Sequence, residues 1–354
     1  MKLLNTFSLF LLIGLAIAAP ALDKSKESEE SKESVESKES GENERITITK
    51  DFYYDSVIVY RGKHEIVNII VPINSLNFDD DAEDDNTSDD SNAILFFVEA
   101  DEDADGNRID KGLYVLKDGK AKKLLDNGRD AAASSDDSKD VFFGAKDGIY
   151  KYDPKENTAV KYGTVIDSII GIAKENSTDV IYILTEDHGL YKITENGQKK
   201  VKMDDVVGAR EIVLDYSNNL YFYGENKQPY VVNADGIKKI EGLPKNPNSV
   251  RLIKPPFVVE NGVPFMCDNV AYIIYANGRS EKTEFDFRSN AKPSAYGMEG
   301  LLIQYYAYHK KIYAYNILNL ILSGVIEELK NFLESKESII QSIATRSRSS
   351  LRAH

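Results

Sequence analysis

The chain has 354 residues, 44 Lys and Arg against 58 Asp and Glu, and a formal net charge of -14 at pH 7. An acidic balance of that size disfavours nucleic acid and anionic membrane surfaces as partners. Cys267 is the single cysteine, so no internal disulfide framework exists and stability must come from a core, which a chain of this length can bury.

The start, MKLLNTFSLFLLIGLAIAAP, has Lys2, an apolar run from Leu9 to Ala19, and Ala16 and Ala18 in the small-residue cleavage pattern. It predicts a secretory signal peptide over residues 1–18. The run is shorter than the roughly 20 apolar residues of a membrane anchor, and the expected product is a secreted protein of extracellular fluid. Residues 19–43 repeat Lys-Glu-Ser at Lys26, Lys32 and Lys38. With no apolar face to bury, this arm predicts disorder and a solvated spacer.

From residue 44 to 318 a unit recurs: an apolar strand, a polar turn and a lysine-bearing strand. Copies begin at Ser56, Gly112, Gly148, Gly189, Pro229, Ala271 and Lys311, at intervals of about 40 residues once the acidic insert at 79–92 is set aside. A second strand precedes the copies at Ala93, Asp140, Asp179, Asn219, Val263 and Leu301, and a third lies further upstream, as at Ser168 and Arg210. Asn-Gly and Asp-Gly turns mark the hairpins. Four antiparallel strands per unit predict an all-β fold, a β-propeller in which each copy is the outer hairpin of one blade. The first copy lacks room for two inner strands and the last lacks an outer strand. If the two ends share one blade the count is six, with seven as the alternative.

Residues 319–354 change character. Leu320, Val325, Leu329, Phe332, Leu333 and Ile340 are spaced as on a helix, and Arg346, Arg348 and Arg352 follow. The alternatives are a packed helix and a loosely attached extension.

Catalytic signatures are sparse. His64, His188, His309 and His354 show no metal-ligand spacing, three of the four fall at strand ends or turns, and surface or turn positions are expected; there is no phosphate loop or nucleophile elbow. Cys267, within PFMCDN, is expected as a buried apolar filler. The stretch DEDADGNRID alternates Asp101, Asp103 and Asp105 before Gly106, as the first half of a calcium loop does, and Asp110 could close it in place of the missing twelfth-position glutamate. Calcium there is weighed against a solvated acidic turn. Asn86 and Asn176 satisfy the N-glycosylation rule.

The aromatic content is distinctive: 21 Tyr, 14 Phe and no Trp. Most of these rings should pack blades, but LYFYG, IQYYAYHKKIYAYN and SAYGMEG hold more tyrosine than a core with few hydroxyl partners accommodates. Some are expected at the central channel, where aromatic walls and a few polar groups hold flat conjugated ligands.

The run DGIYKYDP, then DVIYILTEDHGLYKITENGQKK, then NNLYFYGENKQPYVV resembles the ommochrome-binding proteins of insect haemolymph, over roughly Glu44 to Ile317. The arm, the acidic insert and the tail depart from that family. The resemblance implies a non-catalytic binder of tryptophan-derived phenoxazinone pigments, and it carries over no site residue. From tyrosine density, Tyr221, Tyr223, Tyr296, Tyr305, Tyr306 and Tyr308 are the candidate ring contacts. Arg210 and Arg251, each at the start of an expected inner strand, could pair with a ligand carboxylate. The expected protein is a monomeric carrier of a small aromatic ligand. The alternatives are a propeller hydrolase or lactonase with a channel metal, for which the inner strands offer Glu175, Glu211 and Asp215, and a protein-binding platform.

Overall fold

The computed structural model describes residues 46–72, 94–134, 136, 138–254, 261–299 and 303–316. The signal segment 1–18, the arm 19–43, the acidic insert 79–92 with Asn86, and the extension 319–354 lie outside the described residues. All but Asn316 of the described residues belong to one of the chain's two compact units, Gly41–Tyr315.

Two short strands come first, β1 (Ile46–Ile48) and β2 (Ile58–Arg61). Blade one is β3 (Glu65–Ile70), β4 (Leu95–Glu102), β5 (Arg108–Lys117) and β6 (Lys120–Leu125). Blade two is β7 (Gly128–Ala133), β8 (Val141–Ala145), β9 (Gly148–Asp153) and β10 (Thr158–Lys161). Blade three is β11 (Ile169–Lys174), β12 (Ile181–Thr185), β13 (Leu190–Thr194) and β14 (Lys199–Lys202). Blade four is β15 (Glu211–Leu214), β16 (Leu220–Tyr223), β17 (Pro229–Asn233) and β18 (Gly236–Lys239). Blade five is β19 (Val250–Leu252), β20 (Gly262–Cys267), β21 (Val270–Tyr275) and β22 (Ser280–Phe287). The C-terminal strands β23 (Ala295–Glu299), β24 (Ile303–Tyr308) and β25 (Lys311–Asn316) open blade six. Six sheets in a ring make a six-bladed propeller, the lower of the two counts open at the sequence level.

Within a blade, sequence character follows position. The second strands β8 and β12 are buried at every residue and are accordingly continuous apolar runs, VFFGA and IYILT. The fourth strands are the rim: KKVK of β14 is exposed throughout and GIKK of β18 nearly so. Their lysines blunt an edge that would otherwise template pairing with another chain, which accounts for the basic half of the repeat. The β5–β6 turn is Asp118-Gly119, with φ of 51° and 67°, the left-handed pair of a two-residue hairpin. Gly148 at the head of β9 has φ +128°, and a Cβ there would lie 2.0 Å from the Val165 carbonyl oxygen, so no side chain fits where β9 passes the crossing into blade three.

Each blade buries its faces against its neighbours. Phe96, Val98, Leu113 and Val115 of blade one meet Ala131, Val141, Phe143 and Tyr152 of blade two. Five such interfaces are aliphatic-rich clusters. Between blades five and six the contact is aromatic: Tyr296 packs edge-on to Phe287 and to Tyr306.

The ring closes through the N-terminal strands. β2 pairs antiparallel with β25 and supplies the missing fourth strand of blade six, while β1 adds in parallel outside β22 of blade five. The Ser56 copy is therefore not a hairpin. Its first strand belongs to blade six and its second, β3, is the innermost strand of blade one, with the turn between them serving as the crossing from one blade to the next. Between the clasps, Phe52 stacks on Tyr315 at 4.2 Å and Tyr53 on Tyr308 at 4.1 Å. The Tyr53 hydroxyl donates to the Ala291 carbonyl at 2.8 Å, and that of Tyr315 to the Phe52 carbonyl.

Because Phe52 touches Tyr53, Tyr306 and Tyr315 together, Phe52→Ala is expected to destabilise the whole ring by about 2–3 kcal/mol, with unfolding still a single transition. Urea denaturation followed by tyrosine fluorescence and by circular dichroism checks both points. Early release of blade six alone, ahead of a second transition, is the contrary outcome.

Candidate functional site

A cavity of about 440 Å³ opens among the inner strands and is bordered by residues of β3, β7, β11, β15 and β19, with Tyr296 of β23. It is the central channel of the ring. Five cations border it, Arg108, Arg129, Arg210, Arg251 and Lys254, against two carboxylates, Asp130 and Glu211.

Both carboxylates are committed to holding blades together. Asp130 accepts from the Ile172 amide of blade three at 2.7 Å and from the Asn68 side chain of blade one. Glu211 accepts from the Leu252 amide of blade five at 2.8 Å and lies 3.4 Å from the Arg251 Nε. Arg251 is committed as well: it donates to the Ser294 carbonyl of blade six at 3.0 Å and to the Val67 carbonyl of blade one. Lys254 reaches across the channel to the Ala131 carbonyl and to Asp130. Inner strands have no further strand beside them on the channel side, and these side chains take up their free main-chain groups.

The cations at the mouth differ. Arg108 and Arg129 each donate from Nε to one oxygen of Asp110, both at 2.8 Å. Arg129 also donates to Ser168 Oγ at 3.0 Å and lies 3.4 Å from Glu186. Arg210 contacts Glu225 and the His188 Nε2. His188 Nδ1 lies 3.0 Å from the Ala209 carbonyl, so Nδ1 carries the proton and Nε2 accepts from Arg210.

Of the residues expected to contact a ligand, four border the cavity: Tyr223, Tyr296, Arg210 and Arg251. Burial raises the Tyr223 hydroxyl, reinforced by Glu211, and burial raises that of Tyr296. The Tyr296 hydroxyl is buried without a hydrogen-bond partner. The other four sit in packing positions and are not among the residues that border the cavity. Tyr221 is 0 % exposed, inside the blade four–five core, and its hydroxyl donates to Asp215 at 3.0 Å and to the Asn261 carbonyl at 3.1 Å. Tyr305 lies in the blade six–one core. The Tyr306 hydroxyl donates to Gln304 at 2.6 Å among Phe52, Tyr296 and Tyr315. Tyr308 stacks on Tyr53 and bonds the Asn290 carbonyl at 2.6 Å.

The acidic stretch does not converge. Asp101 meets His64 at 2.7 Å, Asp103 closes its own turn on the Asn107 amide at 2.8 Å, and Asp110 turns inward to the two arginines. Hydrogen bonds from Asn107, main chain and side chain, hold Asp103 below the usual carboxylate range. Asp105 only adds its amide to the Asp103 carboxylate. Strand β5 starts at Arg108, and its alternation sends Asp110 away from the turn that Asp103 builds. Among the described residues no group of three or more His, Cys, Asp or Glu is placed to hold a metal. Of the three acids weighed for a channel metal, Glu175, Glu211 and Asp215, only Glu211 borders the cavity. Glu175 accepts from the Tyr182 hydroxyl at 2.7 Å, and Asp215 is spent on Asn219 and Tyr221. Asn176 donates its side-chain amide to the Tyr216 carbonyl at 2.8 Å, and Cys267 is buried between blades four and five.

Sequence reasoning missed Arg108, Arg129, Asp130 and Lys254. A signal was present for two of them: Arg129-Asp130 opens β7 as Arg210-Glu211 opens β15, an Arg-acid pair at the same point of the unit in alternate blades.

No family model matches the chain, and no curated protein does. Among solved structures it is similar to virginiamycin B lyase from Staphylococcus aureus, 13% identical over 73% of this chain and 87% of that one, with a TM-score of 0.47. It is also similar to the RRP9 WD40 repeats, 10% identical over 73% of this chain and 78% of that one, with a TM-score of 0.45. At these identities and TM-scores the likeness says nothing of what this chain binds or does.

Burial is the largest influence on Glu211 and lifts its carboxyl above the ordinary value, against the pull of Arg251. A carboxyl raised in the folded state favours folding while protonated. That contribution is full below the ordinary glutamate value of about 4.3 and is lost as pH climbs through the raised folded value. Glu211→Gln keeps an acceptor for the Leu252 amide. Its unfolding free energy relative to the natural chain is expected to shift in the variant's favour as pH rises above about 4.3. Denaturation at a series of pH values measures this, and a shift in the opposite direction would show that Arg251 dominates.

Proposed function

We propose that this chain is a small-molecule carrier that holds a flat aromatic ligand in the channel cavity. The observation that carries the reading is the cavity itself: about 440 Å³, within the range of sites for drug-sized molecules, with Tyr223, Tyr296 and Arg210 on its border. Tyrosine rings offer stacking, worth about 0.5–1.5 kcal/mol beyond area burial, and a guanidinium plane offers a second stacking surface as well as charge. The pigments implied by the resemblance, planar and carboxylated, are ligands of this kind. Together with the secretory leader expected at 1–18, this describes a carrier working in extracellular fluid.

Titration of the full chain with xanthommatin, followed by its visible spectrum and by tyrosine quenching, tests the proposal. A spectral shift at micromolar pigment is expected, weakened about ten-fold by Tyr223→Ala. Tyr221→Phe should bind as the natural chain does while losing about 1 kcal/mol of stability, because its hydroxyl serves Asp215 in the core. A titration without spectral change or quenching would sink the carrier reading.

A further inference from the structure

We infer that Glu186 and Glu225 are stand-ins for the anionic group of the ligand: they occupy the channel-mouth arginines in the free protein and are displaced when a planar aromatic carboxylate binds. The inference rests on the channel being the ligand site and adds the means by which that site selects its ligand.

Positive charge at the mouth is compensated in two different ways. Asp110 divides its two oxygens between Arg108 and Arg129, and it is only 13% exposed. That pairing is permanent, since separating it strands buried charge. One carboxylate nevertheless serves two guanidiniums. The remaining compensation comes from outside: Glu186 lies 3.4 Å from Arg129 and is 58% exposed, while Glu225 contacts Arg210 and is 76% exposed. On the glutamate side these pairs face solvent, which screens them, and Arg129, itself only 7% exposed, keeps Asp110 when Glu186 leaves. Both glutamates sit on the hairpin that follows the second strand of their blade, Glu186 after β12 and Glu225 after β16, on long side chains that can swing to solvent.

A ligand carboxylate arriving with an aromatic body has the advantage over these glutamates. The body fills the cavity and excludes water, so the guanidinium–carboxylate contact is made in a drier setting and with fork geometry. Displacement also costs Glu186 the hydrogen bond donated by Ser168 Oγ at 2.8 Å, and it leaves His188 in place as the second partner of Arg210. An inorganic anion has no body to offset those costs. The glutamates therefore act as a filter: they reject small free anions and yield to an anion that brings apolar surface.

Calorimetric titration of the full chain with 2-naphthoate, its neutral isostere 2-naphthamide and inorganic phosphate tests this. The natural chain is expected to bind naphthoate more tightly than naphthamide and phosphate least. The E186Q/E225Q variant, altered only at exposed side chains, should bind naphthoate roughly five-fold more tightly with naphthamide unchanged. R210Q should erase most of the preference for naphthoate. Unchanged or weaker naphthoate binding by E186Q/E225Q overturns the inference. Equal binding of naphthamide and naphthoate by the natural chain overturns it while leaving the aromatic-carrier reading standing. Failure of both aromatic compounds to bind overturns both.

Discussion

The constraint from which the rest of this structure follows is that a four-stranded blade is apolar on both faces and can be covered only by its neighbours. A row of such blades leaves two bare faces, so the row must close. Blade six is built from β23, β24 and β25 with β2 from the other end of the described chain, and the blade five–six seam is covered by Phe52 and Tyr53 as well. Tyr306, Tyr308 and Tyr315 are the chemistry of that seam. A ring stacked on a ring, with each hydroxyl anchored on a main-chain carbonyl, fixes a strap without a disulfide, which a chain with one cysteine cannot form.

Closure creates the channel and its electrostatic problem together. Inner strands expose main-chain groups to a narrow space, and the chain meets them with Asp130, Glu211, Arg251 and Lys254. Each ties one blade to another, so the cavity wall is braced by the same side chains that give it polarity. An acidic protein thereby has a channel bordered mostly by cations, five against two carboxylates that are spent on main-chain amides.

Much of the fold was legible because it is written in turns and periodicity. Asp118-Gly119 fixed a hairpin, the interval between copies fixed the blade, and the incomplete copies at the two ends pointed to a shared blade. What periodicity cannot give is a strand's partner, and for that reason the Ser56 copy looked like a hairpin. Nor does it give depth along a strand. Tyr221 and Tyr223 are two residues apart and lie on one face of β16. Tyr223 is in register with Glu211 at the cavity, whereas Tyr221 is opposite Val213, where Asp215 and the Asn261 carbonyl take its hydroxyl. Asp110 was grouped with its sequence neighbours as a cation ligand, although the arginines that claim it include one on the next blade.

Arg210 and Arg251 show why residue type and position in the repeat stop short of role. Both stand at the start of an inner strand and both border the cavity. The donors of Arg251 end on two carbonyls of other blades and on Glu211, so moving it would orphan main-chain groups in two blades and strip a carboxylate of its cation in a third. Those of Arg210 end on an exposed glutamate and an imidazole, both of which water can replace. Binding needs charge that can change partner and folding needs charge that cannot. The ring satisfies both by fixing the ion pairs whose carboxylates are largely buried, at Glu211 and Asp110, and leaving Arg210 paired to an exposed glutamate.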